Sequence, residues 1–287
     1  MPFAMAADGT ELYYRDWGTG VPVVLIHGWP LCGDMWEKQA EFLAQNGARV
    51  IVYDRRGFGR SDQPWQGYDY DTFAADLNTI METLDLTGAV LVGFSMGGGE
   101  VVRYLAKYGS QRVVKAVLIS SVTPFLLQTD DNPDGINIED FQKIEGQILT
   151  DRPEFLKSFG LQFYGRSMIH HSVSEPVLEW TFGLALMASL HSTVAAAKAW
   201  ASTDFRQDLP QIKIPVLVIH GASDETVPID KSARKAIKLL TNATMTEYEN
   251  QPHGLFMTAT DRLNEELLRF IEVGTSMTKH MTASAVL

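Results

Sequence analysis

Short apolar runs alternate with amphipathic stretches along most of the chain. The runs are rich in Val, Ile and Leu, a composition typical of parallel strands that are covered on both faces. They lie at Val21–Ile26, Arg49–Tyr53, Val90–Phe94, Ala116–Ile119, Pro215–Ile219 and Ala243–Tyr248. Between them apolar residues recur at helical spacing. This strand–helix rhythm predicts a mostly parallel α/β sheet with helices on both faces.

Several predicted elements have recognisable ends. Asp34 is a good N-cap for the helix after the first buried strand, and Asp69–Leu86 carries apolar residues at helical spacing. Further helices are predicted over Ile229–Leu240 and Asp261–Val273. Near the N-terminus, Asp8-Gly9 separates two strand-like halves, which predicts a hairpin.

The alternation stops between residues 123 and 209, where no strong buried strand is predicted. This segment carries a polar turn and several helical stretches rich in Phe, Leu, Met and Trp. Because the strand pattern resumes afterwards, we interpret the segment as an insertion rather than as a free domain. We therefore expect a discontinuous core of residues 1–123 and 209–274, a helical cap insertion of residues 124–208, and a loose tail of residues 275–287.

The composition is that of an ordinary globular protein, with 45% hydrophobic and 21% charged residues among 287. Lys and Arg number 24 against 35 Asp and Glu, which gives a net charge of −11. Nucleic acid and anionic membranes are therefore not expected partners. The single cysteine, Cys32, excludes an internal disulfide. No secretory leader and no bilayer-spanning apolar run is found, so a cytoplasmic location is expected.

One strand runs directly into a serine between glycines, Gly93-Phe94-Ser95-Met96-Gly97, and helix-compatible sequence follows. This G-x-S-x-G pattern between strand and helix indicates a nucleophile elbow, in which the serine sits on a strained turn with its hydroxyl in a cleft. The glycines leave room for the turn to close. The helix start would also direct backbone N–H groups at an oxyanion. A bystander serine in a Gly-rich turn is the less favoured interpretation.

A serine hydroxyl needs an adjacent base that is itself oriented by a third group. In elbow hydrolases the order along the chain is Ser, then Asp or Glu, then His. Asp224, in the loop after a late strand, is the best candidate acid. Glu225 and Asp230 compete with it but are better suited to a helix start. The candidate base is His253, which follows the last strand between a proline and a glycine.

Two backbone donors are expected for the oxyanion. One is the N–H of Met96, which follows the serine, and the other is that of Trp29 in the turn after the first buried strand. His27 and His220 each end a buried strand, where a hydrogen-bonded structural histidine is the favoured interpretation. No pair of histidines has the spacing of metal ligands, so a metal is not expected.

Four stretches carry a family resemblance: His27-Gly28-Trp29-Pro30, Asp54–Pro64, Gly93–Gly98 and Pro252-His253-Gly254. Through them the chain resembles the α/β-hydrolase family, and more closely the bacterial aryl esterases and cofactor-free haloperoxidases, or perhydrolases. The resemblance implies the α/β-hydrolase fold, with a mostly parallel eight-stranded sheet flanked by helices and a helical cap. It also implies no metal or haem, a homo-oligomer, and a structural turn at Asp54–Asp62 whose arginines form buried ion pairs.

By the same resemblance, Ser95, Asp224 and His253 match the family's triad, and Trp29 and Met96 match its oxyanion donors. The implied reaction is hydrolysis of small carboxylic esters through an acyl-enzyme, with hydrogen peroxide as an alternative acyl acceptor. Lactonase, γ-lactamase or amidase activity would use the same residues. A hydrolase-like protein that only binds a small ligand is the non-enzymatic alternative. The expected substrate-pocket residues are Pro30, Phe125, Phe159 and Trp200.

Pro30 bears on the choice between water and peroxide. Perhydrolase-like relatives are similar to this chain in carrying proline here. A proline biases the preceding Trp29 towards extended backbone, which would turn its carbonyl towards a peroxide or peracid O–H. Pro30→Leu should therefore lower the ratio of peracid formation to ester hydrolysis, measured on one acetate ester with and without peroxide. An unchanged ratio would mean that Pro30 only shapes the turn.

Overall fold

The computed structural model describes residues 1–167, 169 and 171–272. Its strands are β1 (Phe3–Met5), β2 (Glu11–Gly18), β3 (Val21–Ile26), β4 (Ala48–Tyr53), β5 (Ala89–Phe94), β6 (Val113–Ile119), β7 (Val216–Gly221) and β8 (Ala243–Tyr248). They form one eight-stranded sheet in the order β1-β2-β4-β3-β5-β6-β7-β8. The pairs β1–β2 and β2–β4 are antiparallel and the others are parallel. The predicted eight-stranded, mostly parallel sheet is confirmed.

Helices cover both faces of this sheet. They are α1 (Glu37–Gln45), α2 (Tyr70–Thr83), α3 (Met96–Tyr108), α4 (Ile138–Phe163), α5 (Glu175–Leu186), α6 (Leu190–Ser202), α7 (Ala233–Ala236), α8 (Leu255–Thr258) and α9 (Thr260–Glu272). In β3, Val23 and Leu25 pack on the side of α1 and α9, whereas Val24 and Ile26 pack on the side of α2 and α3. Successive strand side chains point to opposite faces, so an uninterrupted apolar run fills both layers.

The first predicted helix starts differently from expectation. α1 begins at Glu37 after a short 3-10 turn over Gly33–Trp36, and Asp34 does not cap it. The Asp34 carboxylate instead binds Arg15 at 2.9 Å and Arg60 at 2.8 Å. Its charge is therefore balanced by arginines from elsewhere in the fold rather than by helix N–H groups.

Most of the segment predicted as a helix over Ile229–Leu240 is a series of turns, and only Ala233–Ala236 is α-helical. Ser232 has φ −127° and ψ −97°, outside the helical region, and its hydroxyl donates to the Pro228 carbonyl at 2.9 Å. A serine side chain that bonds to nearby backbone competes with a helix. The spacing of apolar residues predicted which side chains are buried here, but it did not predict that the backbone forms turns instead of a helix.

The insertion is helical and consists mainly of α4, α5 and α6. α4 breaks at Asp151, which has φ −154° and ψ 86°, two residues before Pro153. The Asp151 carboxylate accepts the Glu154 N–H at 3.1 Å, so it caps the second half of the helix. The boundaries between core and cap stay a prediction. The predicted tail of residues 275–287 lies outside the described residues.

Within the described ranges, no single helix is both long and apolar enough to cross a membrane. α5 and α6 taken together meet that requirement, but they are bent by 95° relative to each other.

A buried network joins the turn after β4 to α3. Arg55 Nε donates to Glu100 Oε2 at 2.6 Å, and Arg55 Nη2 donates to the His27 carbonyl at 2.8 Å. The Tyr53 hydroxyl donates to the other Glu100 oxygen. Burial raises the pKa of Glu100 well above its usual range and lowers that of Arg55 to about 10. Their mutual attraction therefore has to offset the cost of removing both charges from water.

A second buried pair involves the neighbouring arginine. Arg56 contacts Asp76 on α2 at 2.5 Å and Asp8 in the β1–β2 turn at 2.7 Å. Its hydrogen bond lowers the pKa of Asp8 to about 2. The turn at Asp54–Asp62 thus has the buried ion pairs that the family resemblance implied.

Removing the Glu100 carboxylate should destabilise the fold. Glu100→Ala would leave the Arg55 guanidinium buried without its partner, and breaking such a pair typically lowers the free energy of unfolding by about 3–5 kcal/mol. The exposed pair of Asp230 and Arg234 provides the matched control, because solvent screens it and Asp230→Ala should leave the free energy of unfolding nearly unchanged. Urea unfolding followed by circular dichroism measures both. Equal losses in the two variants would contradict the importance assigned to the buried pair.

Candidate active site

The predicted nucleophile lies on a tight turn between β5 and α3. Ser95 has φ 53° and ψ −116°, and its N–H donates to the Ile119 carbonyl on β6 at 2.8 Å. A non-glycine residue at positive φ is strained, so the surrounding structure must hold it there. This is the geometry of a nucleophile elbow at the carboxyl edge of a parallel sheet.

Two glycines allow the turn to form. A Cβ on Gly97 would lie 2.5 Å from the carbonyl oxygen of Ile26 and 2.8 Å from that of His27. A Cβ on Gly93 would lie 2.4 Å from the Gly97 oxygen. These neighbours are backbone atoms, which cannot move aside as a flexible side chain can. Gly97 therefore brings the start of α3 directly against the carboxyl end of β3.

The structure brings the three predicted triad residues together. The Ser95 hydroxyl lies 3.0 Å from His253 Nε2, and His253 Nδ1 donates to Asp224 Oδ2 at 2.7 Å. All three are buried, although they come from the elbow and from the loops after β7 and β8. The competing acids lie elsewhere: Asp230 binds Arg234, and Glu225 is exposed at the edge of the site. These separations fit a serine, its base and the acid that orients the base.

Hydrogen-bond donors surround the Asp224 carboxylate. Oδ1 accepts the backbone N–H groups of Thr226 at 2.9 Å and Val227 at 2.7 Å. Oδ2 accepts from His253 and lies 3.2 Å from His220 Nε2. Burial alone would raise the pKa of Asp224, but the electrostatic attraction and hydrogen bonds from His253 and His220 outweigh it and hold the pKa well below its usual range. The carboxylate is therefore ionised.

The two candidate oxyanion donors belong to the segments that Gly97 brings together. Met96 is the first residue of α3, where backbone N–H groups lack partners within the helix and the helix dipole favours negative charge. Trp29 lies in the turn after β3 and forms a cis peptide bond with Pro30. Neither N–H donates a hydrogen bond to any residue that the structure describes. Both are therefore free to bind an oxyanion.

A cavity of about 410 Å³ opens onto the serine and histidine of the triad. One wall is aromatic, because the Trp29 indole packs against Phe155, Phe159 and Trp200 with centroid separations of 6.2, 5.4 and 5.7 Å. The remaining lining residues are Val122, Ile136, Asp140, Phe141, Ile144, Gln147, Gln162, Glu225, Thr226, Val227 and Pro228. The cavity is thus mostly apolar, with a few polar groups, as small-molecule sites commonly are.

Of the four predicted pocket residues, Phe159 and Trp200 line this cavity, whereas Phe125 and Pro30 do not. Phe125 is buried elsewhere, with the Arg206 guanidinium 5.0 Å from its ring. Pro30 lines a second cavity of about 410 Å³, which lies between the second half of α4 and α5. Phe159 lines both cavities and therefore lies at their boundary.

Sequence reasoning missed other lining residues. Phe141 and Ile144 lie about one turn apart on the first half of α4, and both line the cavity. Their helical spacing is visible in the sequence, but it is equally typical of residues in an ordinary core. Which helices face the site is decided by packing of the insertion on the core, and local sequence does not show that.

The other buried reactive side chains, Cys32 and His27, are not suited to a catalytic role. Burial, with the nearby Asp54 charge, raises the pKa of the Cys32 thiol to about 12, so it is not a nucleophile at neutral pH. Burial, with the charge of Arg55, holds the pKa of His27 well below its usual range, and its ring accepts the Arg55 backbone N–H. Across residues 1–167, 169 and 171–272, no three His, Cys, Asp or Glu side chains are grouped to hold a metal ion.

The elbow between β5 and α3, the loops after β7 and β8, and the helical insertion together define the class of protein. The chain belongs to the α/β-hydrolase family: the family's sequence profile, described as an alpha/beta hydrolase fold, matches residues 21–168 and 188–260.

Individual relatives narrow the group. The non-heme chloroperoxidase of Streptomyces lividans is 44% identical over 271 residues, which cover 93% of this chain and 98% of the relative. The bifunctional esterase/perhydrolase DCH of Acinetobacter calcoaceticus is 39% identical over 274 residues, covering 94% and 99%. Among solved structures, the bromoperoxidase from Bacillus anthracis has a TM-score of 0.90 at 43% identity, covering 94% of this chain and 99% of that one. The predicted resemblance to this group is confirmed.

The close backbone contact at Gly97 predicts that a larger residue there lowers both stability and activity. Gly97→Ala would press a methyl group into the β3 carbonyls, and such overpacking typically costs about 1–3 kcal/mol of stability. Esterase activity should fall as well, since the same shift displaces Ser95 and Met96. Gly183→Ala is the control: nothing lies within 4 Å of its added Cβ in helix α5, so it should stabilise by about 0.5–1 kcal/mol. Thermal unfolding and ester turnover of both variants would show the contrast, and a silent Gly97→Ala would refute it.

Proposed function

We propose that this protein hydrolyses small carboxylic esters, aryl esters among them, through an acyl-enzyme on Ser95, and that it also transfers the acyl group to hydrogen peroxide. The observation that most directly supports this is the hydrogen-bonded chain from Ser95 through His253 to Asp224 beside an apolar cavity. Acyl transfer requires a nucleophile, a base and a group that orients the base.

In the first step, the Ser95 hydroxyl gives its proton to His253 Nε2 while its oxygen attacks the ester carbonyl. Asp224 keeps the other hydrogen of His253 on Nδ1 and stabilises the imidazolium. The N–H groups of Trp29 and Met96 stabilise the negative charge on the carbonyl oxygen, and losing one such donor typically costs about 3 kcal/mol. His253 then returns the proton to the leaving alcohol, which completes acylation.

Water or hydrogen peroxide attacks the acyl-enzyme in the second step, with His253 again as base. Water releases the carboxylic acid, whereas peroxide releases a peracid that keeps the O–O bond. The released peracid oxidises halide by transferring one oxygen atom and becomes the carboxylic acid. The pairing of esterase and perhydrolase in the name of one relative, and of chloroperoxidase in that of another, supports both outcomes.

The lining of the cavity favours small neutral acyl groups. Two acidic side chains, Asp140 and Glu225, belong to the lining, and neither Lys nor Arg is among its described residues. A substrate carboxylate would therefore meet like charge without a compensating cation. Phe159 lines both this cavity and the second one, so we expect it to limit the length of the acyl group.

The homo-oligomeric state and the cytoplasmic location expected from the sequence stay predictions. Neither enters the mechanism, because every group named in it belongs to a single chain.

Turnover of p-nitrophenyl acetate by the wild type and by Ser95→Ala tests the proposal. We expect multiple turnovers by the wild type and a fall in kcat of about 10⁴ or more in the variant, since the members of a triad act as a unit. Peracid formation from an acetate ester and peroxide should disappear with it. Ser202→Ala, an exposed serine at the end of α6, is the control and should behave as the wild type. A single turnover followed by a stable adduct would instead indicate a ligand-binding protein.

A further inference from the structure

A second histidine contacts the aspartate of the proposed triad. His220 is completely buried near the end of β7, four residues before Asp224. Its Nε2 lies 2.8 Å from the Val227 carbonyl oxygen and 3.2 Å from Asp224 Oδ2. Both neighbours can only accept hydrogen bonds, because one is a carbonyl and the other an ionised carboxylate. Nε2 must therefore carry a hydrogen, which it shares between them.

The other side of the ring has no such neighbours. His220 Nδ1 is buried and has no hydrogen-bond partner among the described residues. A hydrogen on Nδ1 would be buried without an acceptor, which is costly. The surroundings thus fix the tautomer of His220, with its hydrogen on Nε2 and directed at the carboxylate and the Val227 carbonyl.

Asp224 Oδ2 consequently receives hydrogen bonds from two histidines, while Oδ1 receives two from backbone. We propose that His220 is a positioning residue, which fixes the rotation of the Asp224 carboxylate so that Oδ2 faces His253 Nδ1. This inference rests on the proposed function, since it concerns the geometry of the same reaction. It assigns His220 a role beyond closing the loop after β7.

If His220 only closed the loop after β7, its contact with Asp224 Oδ2 would not be needed. The Val227 backbone already donates to Asp224 Oδ1, so the loop is held at that point without the histidine. On the adjacent strand, Glu247 is opposite His220 in the β7–β8 register, and its carboxylate binds Arg234. The contact to Oδ2 is what distinguishes a positioning role from a structural one.

Three substitutions separate these roles. Glutamine carries its amide nitrogen near the position of Nε2, asparagine carries it near that of Nδ1, and phenylalanine fills the space without a donor. We expect His220→Asn and His220→Phe to lower kcat for p-nitrophenyl acetate by about ten-fold or more, the effect of losing a hydrogen bond to a charged group, with KM nearly unchanged. His220→Gln should restore most of the rate.

Two spectroscopic measurements complete the test. The low-field proton resonance of the His253–Asp224 hydrogen bond should change in His220→Asn and His220→Phe but persist in His220→Gln. In the wild type, nitrogen-15 spectra of histidine-labelled protein should show His220 with its hydrogen on Nε2. This second measurement needs no variant to fold, and a hydrogen found on Nδ1 would overturn the proposal.

The failure of this inference differs from failure of the proposed function. Wild-type kcat in all three variants, or equal losses in all three, would overturn the role of His220 and leave ester hydrolysis standing. Absence of turnover by the wild type would overturn the proposed function itself. Thermal unfolding of each variant, followed by circular dichroism, ensures that the rates are compared below its unfolding temperature.

Discussion

The site depends on one close backbone contact, that of Gly97 with the carbonyl groups at the end of β3. With no side chain at this position, the first turn of α3 lies directly against Ile26 and His27. Ser95 immediately precedes that turn, Met96, one proposed oxyanion donor, begins it, and Trp29, the other, follows β3. Their relative positions are therefore set by packed backbone rather than by flexible side chains, which is the preorganisation that charge stabilisation in acyl transfer requires.

A buried ion pair stabilises the backbone contact at Gly97. Arg55, after β4, reaches both the His27 carbonyl and the Glu100 carboxylate on the second turn of α3. The end of β3 and the start of α3, which meet at Gly97, are thus both hydrogen-bonded to the turn after β4. Removing these charges from water is costly, so such a pair contributes geometry more than net stability. This accounts for Arg55. None of the three arginines in the Asp54–Asp62 turn, Arg55, Arg56 and Arg60, is among the described residues that line the cavity.

The parts of the site that the sequence predicts are those fixed by topology. Ser95, Asp224 and His253 could be assigned because each follows a strand, and the carboxyl ends of parallel strands share one edge of a sheet. The contact of His220 with Asp224 could not, because the sequence shows only a histidine ending a buried strand. Whether His220 contacts Asp224 depends on the conformation of the loop after β7. In the same way, the position of Phe125 depends on how the helical insertion packs on the core.

The aromatic wall links substrate selection to charge stabilisation. The Trp29 indole N–H donates to the Thr193 carbonyl on α6 at 2.9 Å, while its ring packs against Phe159 on α4. The backbone N–H of the same residue is a proposed oxyanion donor. A substrate that displaces Phe159 would therefore also disturb Trp29, the proposed oxyanion donor. Under the proposed mechanism, acyl groups that fit without moving the wall keep Trp29 in place, so the helical insertion would discriminate in the rate of acylation and not only in binding.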